Sequence, residues 1–204
     1  MQIKDKRFSN NWFNAARGTW DAMFPQIQPK RILEIGSFEG QATCYAIESG
    51  FCEEITCIDS WEGGIEHSLM DMQSIEQAFD HNVSVANAVV GDSVSVIKLK
   101  GYSDLQMASL LAEGKQGYYD FVYVDGSHQA PDVMLDAVMA FKLCRVNGVI
   151  GFDDYCWSET LDYGTDPIRC PKPAIDAFTT LFCRKVKIVT GVPIYQLYVK
   201  KVSD

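Results

Sequence analysis

A run of apolar residues that ends abruptly in polar ones most constrains how this chain can fold. Residues 121–124 read Phe-Val-Tyr-Val, and Asp125, Gly126, Ser127 and His128 follow directly. Such a run is typical of a central parallel strand that is covered on both faces. In open α/β sheets, ligands bind at the carboxyl ends of the strands. The sequence therefore predicts that Asp125 and His128 lie in a ligand site.

A second stretch follows the same pattern. Residues 148–152 are apolar or glycine, and Asp153 and Asp154 come directly after them. If the two strands are neighbours, these carboxylates converge with Asp125 and His128 on one small volume. Crowded carboxylates repel each other unless a hard cation lies between them. The pattern predicts a divalent metal site formed by three aspartates.

Strands and helices are predicted to alternate along most of the chain. The predicted strands are residues 31–35, 54–58, 86–90, 119–124 and 148–152, with helices at 41–49, around 69–79, and at 103–113, 132–143 and 173–183. Residues 185–190 and 194–199 predict a closing hairpin. This order predicts an α/β fold with a doubly wound, mostly parallel seven-stranded sheet and a C-terminal antiparallel hairpin. Residues 1–29, rich in aromatic side chains and ended near Pro25 and Pro29, predict a helical cap or lid on a single domain, 30–204.

Charge and composition narrow the class of partner. The formal net charge of -9 disfavours nucleic acid and anionic membranes, because both are polyanions. The seven cysteines are odd in number and none are at Cys-x-x-Cys spacing, which favours reduced thiols. No apolar run reaches the roughly 18 residues of a membrane span, and no secretory signal is read at the N-terminus. We expect a cytoplasmic protein that acts on a small molecule, with a homodimer made plausible by the aromatic N-terminal segment.

The turn after the first strand has the features of a nucleotide-binding turn. Gly36 allows a tight turn, and Gly40 would let the backbone approach a ligand at the helix N-terminus. Phe38 stands where the dinucleotide pattern has its second glycine, which disfavours a pyrophosphate. Glu34 within the strand fits a cationic amino group better. A purely structural turn is the alternative.

The next two strand ends extend this interpretation. Asp59 lies 25 positions after Glu34, the distance at which an acid reaches a ribose diol in such folds. Gly91, Asp92 and Ser93 follow the predicted third strand and could meet an adenine edge. Each acid or hydroxyl could instead be a helix N-cap. Their occurrence at successive strand ends favours an adenosyl site.

Taken together, these residues resemble a known family. Glu34-x-Gly36-x-x-x-Gly40, Asp59, Asp92 and the strand ends Val-Asp-Gly-Ser-His and Phe-Asp-Asp-Tyr resemble class I S-adenosylmethionine-dependent methyltransferases, over roughly residues 30–200. Within that class the chain is similar to the metal-dependent O-methyltransferases of the catechol and macrolide-sugar types.

The resemblance implies roles for particular residues. The implied cofactor site comprises Glu34, Gly36, Ser37, Gly40, Asp59, Ser60, Trp61, Gly91, Asp92, Ser93 and Asp125. It implies that Mg²⁺, or another divalent cation, is held by Asp125, Asp153 and Asp154. His128 stands where the catechol type has its catalytic lysine, and Asp154 stands where that type has an amide. The histidine is similar to the macrolide-sugar type.

These observations lead to one hypothesis and several alternatives. We expect a metal-dependent O-methyltransferase of a sugar or vicinal diol, in which Asp125 binds the metal and His128 is the base. A metal-independent methyltransferase and a catalytically idle adenosyl-binding domain are the alternatives. An NAD oxidoreductase is disfavoured by Phe38 and by the hairpin. Trp61, Tyr155 and Trp157 are candidates for the acceptor pocket, with simple packing as the alternative.

Overall fold

The computed structural model describes residues 5–64 and 67–204, and this part of the chain contains one seven-stranded sheet. Its strands are β1 Arg31–Ile35, β2 Glu54–Asp59, β3 Ser95–Lys100, β4 Tyr119–Val124, β5 Cys144–Phe152, β6 Val186–Ile188 and β7 Leu197–Lys201. They are arranged in the order β3-β2-β1-β4-β5-β7-β6. The first five strands pair in parallel, while β7 is antiparallel to both β5 and β6. The predicted fold class is confirmed.

Helices cover both faces of the sheet. They are α1 Asn14–Ile27, α2 Gln41–Glu48, α3 Met72–Val89, α4 Ser103–Ala112, α5 Ala130–Leu143 and α6 Lys172–Leu181. One apolar cluster packs α1, α2 and α3 on the first face, and a second packs α4, α5 and α6 on the other. The central strands are therefore enclosed between two helical layers.

The central strand β4 shows why residues 121–124 are apolar without interruption. All six residues of β4 are buried. Phe121 and Tyr123 belong to the cluster beneath α1, whereas Val122 and Val124 belong to the cluster beneath α5. Because successive side chains point to opposite faces, a run of strand residues covered on both sides is apolar at successive positions. Each such side chain contributes about 1.5–3 kcal/mol through burial.

The N-terminal helix α1 is part of the core. The Trp20 ring is buried against Phe121 and Tyr123, with centroids 5.0 and 4.9 Å away, and its indole N–H donates to the Tyr198 hydroxyl at 3.0 Å. The helix continues through Pro25 and ends at Ile27, between the two prolines near which the sequence predicted its end. A proline this near the C-terminus removes only one backbone hydrogen bond. Whether residues 1–29 act as a lid stays a prediction.

The third strand lies later in the chain than the sequence predicted. The predicted strand 86–90 is wrong, because these residues form the end of α3 and the turn after it. Ile75, Phe79 and Val83 recur at helical spacing, and the same buried face continues to the end of the helix. The true strand β3 lies at the edge of the sheet, where β2 is its only neighbour among the described strands and Lys98 pairs with acids on α3. The sequence of β3 mixes polar and apolar residues, so it did not show the continuous apolar run of a buried strand.

Two further observations concern predictions made from composition. No helix in the described ranges is long and apolar enough to cross a membrane. Five of the seven cysteines are buried, while Cys156 and Cys183 are exposed. Burial raises the pKa of Cys44, Cys52 and Cys144 to about 12, so these thiols stay protonated and unreactive at neutral pH.

Candidate active site

A large cavity opens at the carboxyl ends of the parallel strands. Its volume is about 1190 Å³, larger than the roughly 300–1,000 Å³ of most small-molecule sites. The loops after β1, β2, β3, β4 and β5 line it, and residues 10–15 of the N-terminal segment complete the wall. The cavity therefore has space for more than one small molecule.

Glu34 brings a buried carboxyl group to the cavity wall from strand β1. Its side chain is 2% exposed, and it accepts hydrogen bonds from Ser37 Oγ at 2.8 Å and from Thr43 Oγ1. Burial raises the pKa of Glu34 to about 7, and these hydrogen bonds only partly oppose the shift. A cationic group bound nearby would favour the ionised form.

Gly36 fixes the turn that follows β1. Its φ of 83° lies in the left-handed region, and a Cβ atom at this position would be 1.9 Å from the backbone oxygen of Asp125. Its N–H donates to the Ile58 oxygen at 2.8 Å. The ends of β1, β2 and β4 therefore meet backbone to backbone at Gly36, which only glycine allows.

The packing of two helices gives Gly40 a structural reason to be glycine. It caps helix α2 with a φ of 80°, and an added Cβ would lie 3.0 Å from the ring of Phe79. It does not line the cavity. That Gly40 lets the backbone approach a ligand stays a prediction; the structure shows that α2 and α3 approach closely at this residue.

Asp59 at the end of β2 holds the turn after β1 in place. Its Oδ2 accepts hydrogen bonds from the N–H groups of Ser37 and Phe38 at 2.9 and 2.8 Å, and its Oδ1 accepts one from the Trp61 N–H at 2.7 Å. Asp59 and Ser60 both line the cavity. The carboxylate keeps lone pairs for a ligand, because each oxygen can accept more than one hydrogen bond.

Trp61 packs inside the protein. Its side chain is 4% exposed, its ring lies 5.0 Å from that of Phe79, and its indole N–H donates to the Phe38 oxygen at 3.0 Å. It does not line the cavity. A role for Trp61 in the cofactor or acceptor site stays a prediction, and in the structure its ring packs against Phe79.

The third strand end supplies residues that the sequence patterns did not reveal. Gly91, Asp92 and Ser93 precede β3, so they lie at the amino ends of the parallel strands, opposite the cavity, and do not line it. Their predicted contact with adenine is therefore wrong. The residues that do line the cavity after β3 include Ser103 and Asp104. A Gly-Tyr-Ser-Asp turn between an alternating strand and a helix was the available signal.

Ser103 is tied to a second buried acid. Its hydroxyl donates to Asp136 Oδ1 at 2.6 Å, and Asp136 on α5 is 2% exposed. Burial raises the pKa of Asp136 to about 7. This pair fixes the start of α4 against α5 at the cavity wall.

Three aspartates converge at the ends of β4 and β5. Val124 pairs with Phe152 in the parallel register, so Asp125, Asp153 and Asp154 emerge side by side. Their carboxylate oxygens lie within 4.8 Å of one another, the only such group of acids, histidines or cysteines in the described residues. Burial, followed by the nearby carboxylates, raises the pKa of Asp125 and of Asp153. The predicted convergence of the three side chains is observed.

The neighbours of this group hold it in position. Gln196 donates to Asp153 Oδ1, and the Tyr195 hydroxyl donates to Asp154 Oδ1 at 2.9 Å. His128 Nε2 lies 2.9 Å from Asp154 Oδ2, and its ring packs 4.1 Å from that of Trp157. Tyr195 and Gln196 precede β7 and were missed, because sequence patterns did not indicate that this hairpin returns to the site.

The two other aromatic candidates for the acceptor pocket, Tyr155 and Trp157, differ in position. Trp157 lines the cavity next to His128, as expected for a residue of an acceptor pocket. Tyr155 does not line the cavity, and its hydroxyl donates to Asp176 on α6 at 2.8 Å. Tyr155 therefore packs the 155–171 loop against the body of the protein.

The donor set of the three aspartates fits a hard divalent cation. Mg²⁺ takes oxygen ligands at about 2.0–2.1 Å in octahedral geometry, which places adjacent ligands about 3 Å apart. Side-chain adjustments of an ångström or two would bring the observed oxygens to that spacing. A cation would also relieve the repulsion among the three charges.

Comparison with known proteins decides the family. A family model described as a methyltransferase domain matches residues 33–155, which span β1 to the loop after β5. The chain belongs to this family. The prediction of a class I S-adenosylmethionine-dependent methyltransferase is confirmed. No curated protein sequence matches the chain significantly.

Solved structures share the fold of this methyltransferase. An O-methyltransferase from Bacillus cereus in complex with SAH has a TM-score of 0.63 at 19% identity, covering 91% of this chain and 81% of that one. A Staphylococcus aureus protein described as a caffeoyl-CoA O-methyltransferase has a TM-score of 0.64 at 13% identity, covering 98% and 88%. MycE from the mycinamycin biosynthetic pathway, in complex with Mg, SAH and mycinamycin VI, has a TM-score of 0.58 at 18% identity, covering 97% and 51%.

Replacing Glu34 with glutamine is expected to flatten the pH dependence of this methyltransferase's stability. Because the pKa of Glu34 is about 7 in the folded protein and about 4.3 in an unfolded chain, the wild type loses stability as the pH rises between these values. The contribution of this group to stability is roughly 3–4 kcal/mol. Glutamine keeps an acceptor for Ser37 and Thr43 but cannot ionise. Urea unfolding of the wild type and of Glu34→Gln at about pH 5 and about pH 8 measures how much stability each protein loses between the two pH values. Equal losses in the two proteins would contradict the raised pKa of Glu34.

Proposed function

We propose that this methyltransferase transfers a methyl group from S-adenosylmethionine to a hydroxyl oxygen of a small sugar or vicinal diol, held by Mg²⁺ or another divalent cation. The observation that carries the proposal is the group of Asp125, Asp153 and Asp154 beside His128, on the wall of one large cavity. This arrangement combines metal-ligating oxygens with a candidate base.

The proposed cofactor site uses the cavity wall formed by the first two strand ends. Glu34 lines this wall, and we propose that its carboxylate pairs with the amino group of S-adenosylmethionine. We propose that Asp59, which lines the same wall, binds the ribose hydroxyls. Gly36, Ser37 and Ser60 complete this wall. S-adenosylmethionine supplies an electrophilic methyl group on a positively charged sulfur, which suits a wall without cationic side chains among the described residues.

The proposed chemistry requires that the acceptor hydroxyl lose its proton. A divalent cation, when bound by the three aspartates, lowers the pKa of a hydroxyl that coordinates it. His128 accepts the proton, and Asp154 orients the imidazole through the contact at 2.9 Å. As the oxygen–methyl bond forms, the bond between the methyl group and sulfur breaks, and its electron pair neutralises the sulfonium.

Two structural neighbours support the proposal in part. The B. cereus O-methyltransferase and the MycE methyltransferase are both in complex with SAH, and the MycE structure also contains Mg and mycinamycin VI. Their identities to this chain are 19% and 18%, so the likeness supports the fold, and the acceptor class is inferred from the residues of this chain.

A metal-independent methyltransferase is the second candidate. The observation that favours it is that both oxygens of Asp154 already have partners, with Tyr195 on Oδ1 and His128 on Oδ2. In this alternative Asp154 only orients His128, and the other two aspartates share a proton. Direct metal binding separates the two candidates.

Calorimetric titration of S-adenosylhomocysteine and electron paramagnetic resonance titration of Mn²⁺ test the proposal. We expect micromolar affinity for S-adenosylhomocysteine and a single Mn²⁺ site that Asp153→Asn weakens by about 10- to 100-fold. Asp104→Asn is the matched control, since Asp104 lines the same cavity outside the group of three. Equal Mn²⁺ affinity in both variants would favour the metal-independent candidate, and no binding of S-adenosylhomocysteine would contradict the cofactor site.

Replacing His128 with asparagine is expected to lower the rate of methyl transfer by about 100- to 10,000-fold, because the proposed base is removed. Asparagine can still donate to Asp154, so the position of that carboxylate should be kept. Single-turnover measurements with saturating acceptor check the rate, and calorimetry checks that affinity for S-adenosylhomocysteine is unchanged. A rate within a few-fold of wild type would show that another group takes the proton.

The sequence-based assignments of residues 1–29 as a cap, of a homodimer and of a cytoplasmic location stay predictions. The first of them is supported by Asn10, Trp12 and Phe13, which line the cavity. We propose that this segment contacts the acceptor.

A further inference from the structure

The charged residues that line the cavity are all of one sign. Nine carboxyl groups face it, whereas no lysine or arginine does so among the described residues. Five of the nine belong to the proposed cofactor and metal sites, and the other four are Glu39, Asp104, Asp132 and Asp136. A wall of one charge with low-dielectric sides concentrates ligands of the opposite charge and repels those of the same charge.

The proposed ligands would leave most of this charge in place. One divalent cation and one S-adenosylmethionine, which carries a single net positive charge, would together offset about three of the nine charges. The raised pKa values of Glu34 and Asp136, both about 7, remove part of the remainder at neutral pH. The cavity still keeps a negative balance toward an incoming acceptor.

Three aromatic rings also line this cavity and form a continuous surface. Trp12, Phe38 and His67 all line the cavity, with ring centroids 5.2 Å apart for Trp12 and Phe38 and 5.4 Å apart for Phe38 and His67. The Trp12 side chain is 56% exposed, although it belongs to the segment that closes the cavity. Among aromatic side chains, the indole of tryptophan attracts a cation most strongly, and nearby carboxylates add to that attraction.

We propose that the acceptor is an amine-bearing molecule, positively charged at neutral pH, whose cationic end lies on the Trp12, Phe38 and His67 surface. The cavity rejects carboxylates and phosphate-bearing acceptors such as coenzyme A thioesters, because no cationic side chain is present among its described lining residues to pair with them. This inference rests on the proposed function, and it adds the charge class of the acceptor.

Three diols that differ in one substituent test the inference. Dihydroxybenzylamine, methylcatechol and dihydroxybenzoate share vicinal hydroxyls and carry a positive, a neutral and a negative group. We expect kcat/KM to fall by about 10-fold at each step in that order, and the differences to shrink at high salt as screening increases. Equal or higher kcat/KM for the carboxylate would overturn the inference while leaving methyl transfer itself established.

Binding gives a readout that needs no turnover. Calorimetric titration of the three diols into protein loaded with Mg²⁺ and S-adenosylhomocysteine should give the same order of affinity. Absence of that order would overturn the inference. Failure of S-adenosylhomocysteine to bind at all would instead count against the proposed function, so the two failures are distinguishable.

Variants of Trp12 separate a cation site from a general apolar contact. Trp12→Leu keeps apolar area but removes the aromatic face, whereas Trp12→Phe keeps a smaller face. We expect Trp12→Leu to raise KM for dihydroxybenzylamine about 5-fold, with much smaller effects on methylcatechol, and Trp12→Phe to lie between it and wild type. Equal effects of Trp12→Leu on both diols would overturn the assignment of the cation to this surface.

Discussion

Replacing Asp125 with asparagine is expected to reduce methyl transfer by about 100- to 1,000-fold. Asp125 emerges from the buried end of β4 and lies between the proposed metal and cofactor walls. Asparagine is nearly isosteric, but it removes one negative charge from the group that would bind the cation and position the acceptor. Initial rates measured over a range of Mg²⁺ concentrations should show both a lower maximum and a weaker metal requirement.

The same substitution has an expected signature on stability. Asp125, Asp153 and Asp154 repel one another in the absence of a cation, so removing one charge should raise the midpoint of thermal unfolding in the presence of a chelator. A variant that is less active and more stable cannot have lost activity by unfolding. Asp104→Asn is the control, because it removes a cavity carboxylate outside the group of three. Full activity of Asp125→Asn would contradict the proposed role of the three aspartates.

Replacing Gly36 with alanine is expected to have the largest effect on the folded state. The new Cβ would lie 1.9 Å from the backbone oxygen of Asp125, and the residue would keep a φ of 83°. The backbone conformation alone costs about 1–2 kcal/mol, and moving the ends of β1 and β4 apart costs about 1–3 kcal/mol more. Together these costs are a large fraction of the roughly 5–15 kcal/mol by which such domains are stable.

Urea unfolding measures the cost, and a second glycine provides the control. Gly18 lies in α1, and a Cβ added there would meet no atom within 4 Å, so Gly18→Ala should be neutral or stabilising by up to about 1 kcal/mol. Gly36→Ala should also lose affinity for S-adenosylhomocysteine beyond its loss of stability. Wild-type stability and affinity in Gly36→Ala would mean that the turn can rearrange without cost.

The sequence predicted those parts of the fold that are buried on both sides. Strands β4 and β5 contain continuous apolar runs because helices cover both faces, and the acids that follow them therefore stood out. Strand β3 is at the sheet edge, where lysines are tolerated, so its pattern was weaker than the apolar face of α3. Because that strand was predicted at the wrong position, Gly91, Asp92 and Ser93 were assigned to the carboxyl end of a strand, whereas they precede the amino end of β3.

The details that the sequence did not reveal have a common physical origin. Gly40 and Trp61 lie in turns next to the cavity, and sequence position alone could not show that a Cβ at Gly40 would meet Phe79 or that the Trp61 ring packs against it. Tyr195 and Gln196 reach the aspartates only because β7 pairs antiparallel with β5. Contacts between segments distant along the chain decide such details, whereas strand periodicity is a local property.

Methyl transfer measured with and without a metal chelator tests the proposed metal-dependent chemistry most directly. Labelled S-adenosylmethionine and an amine-bearing vicinal diol would be incubated with the protein in Mg²⁺, in excess chelator, and after Mg²⁺ is restored. We expect transfer to a hydroxyl oxygen in Mg²⁺, loss of at least about 100-fold in chelator, and recovery on restoration. Transfer that continues unchanged in chelator would contradict a metal site at Asp125, Asp153 and Asp154.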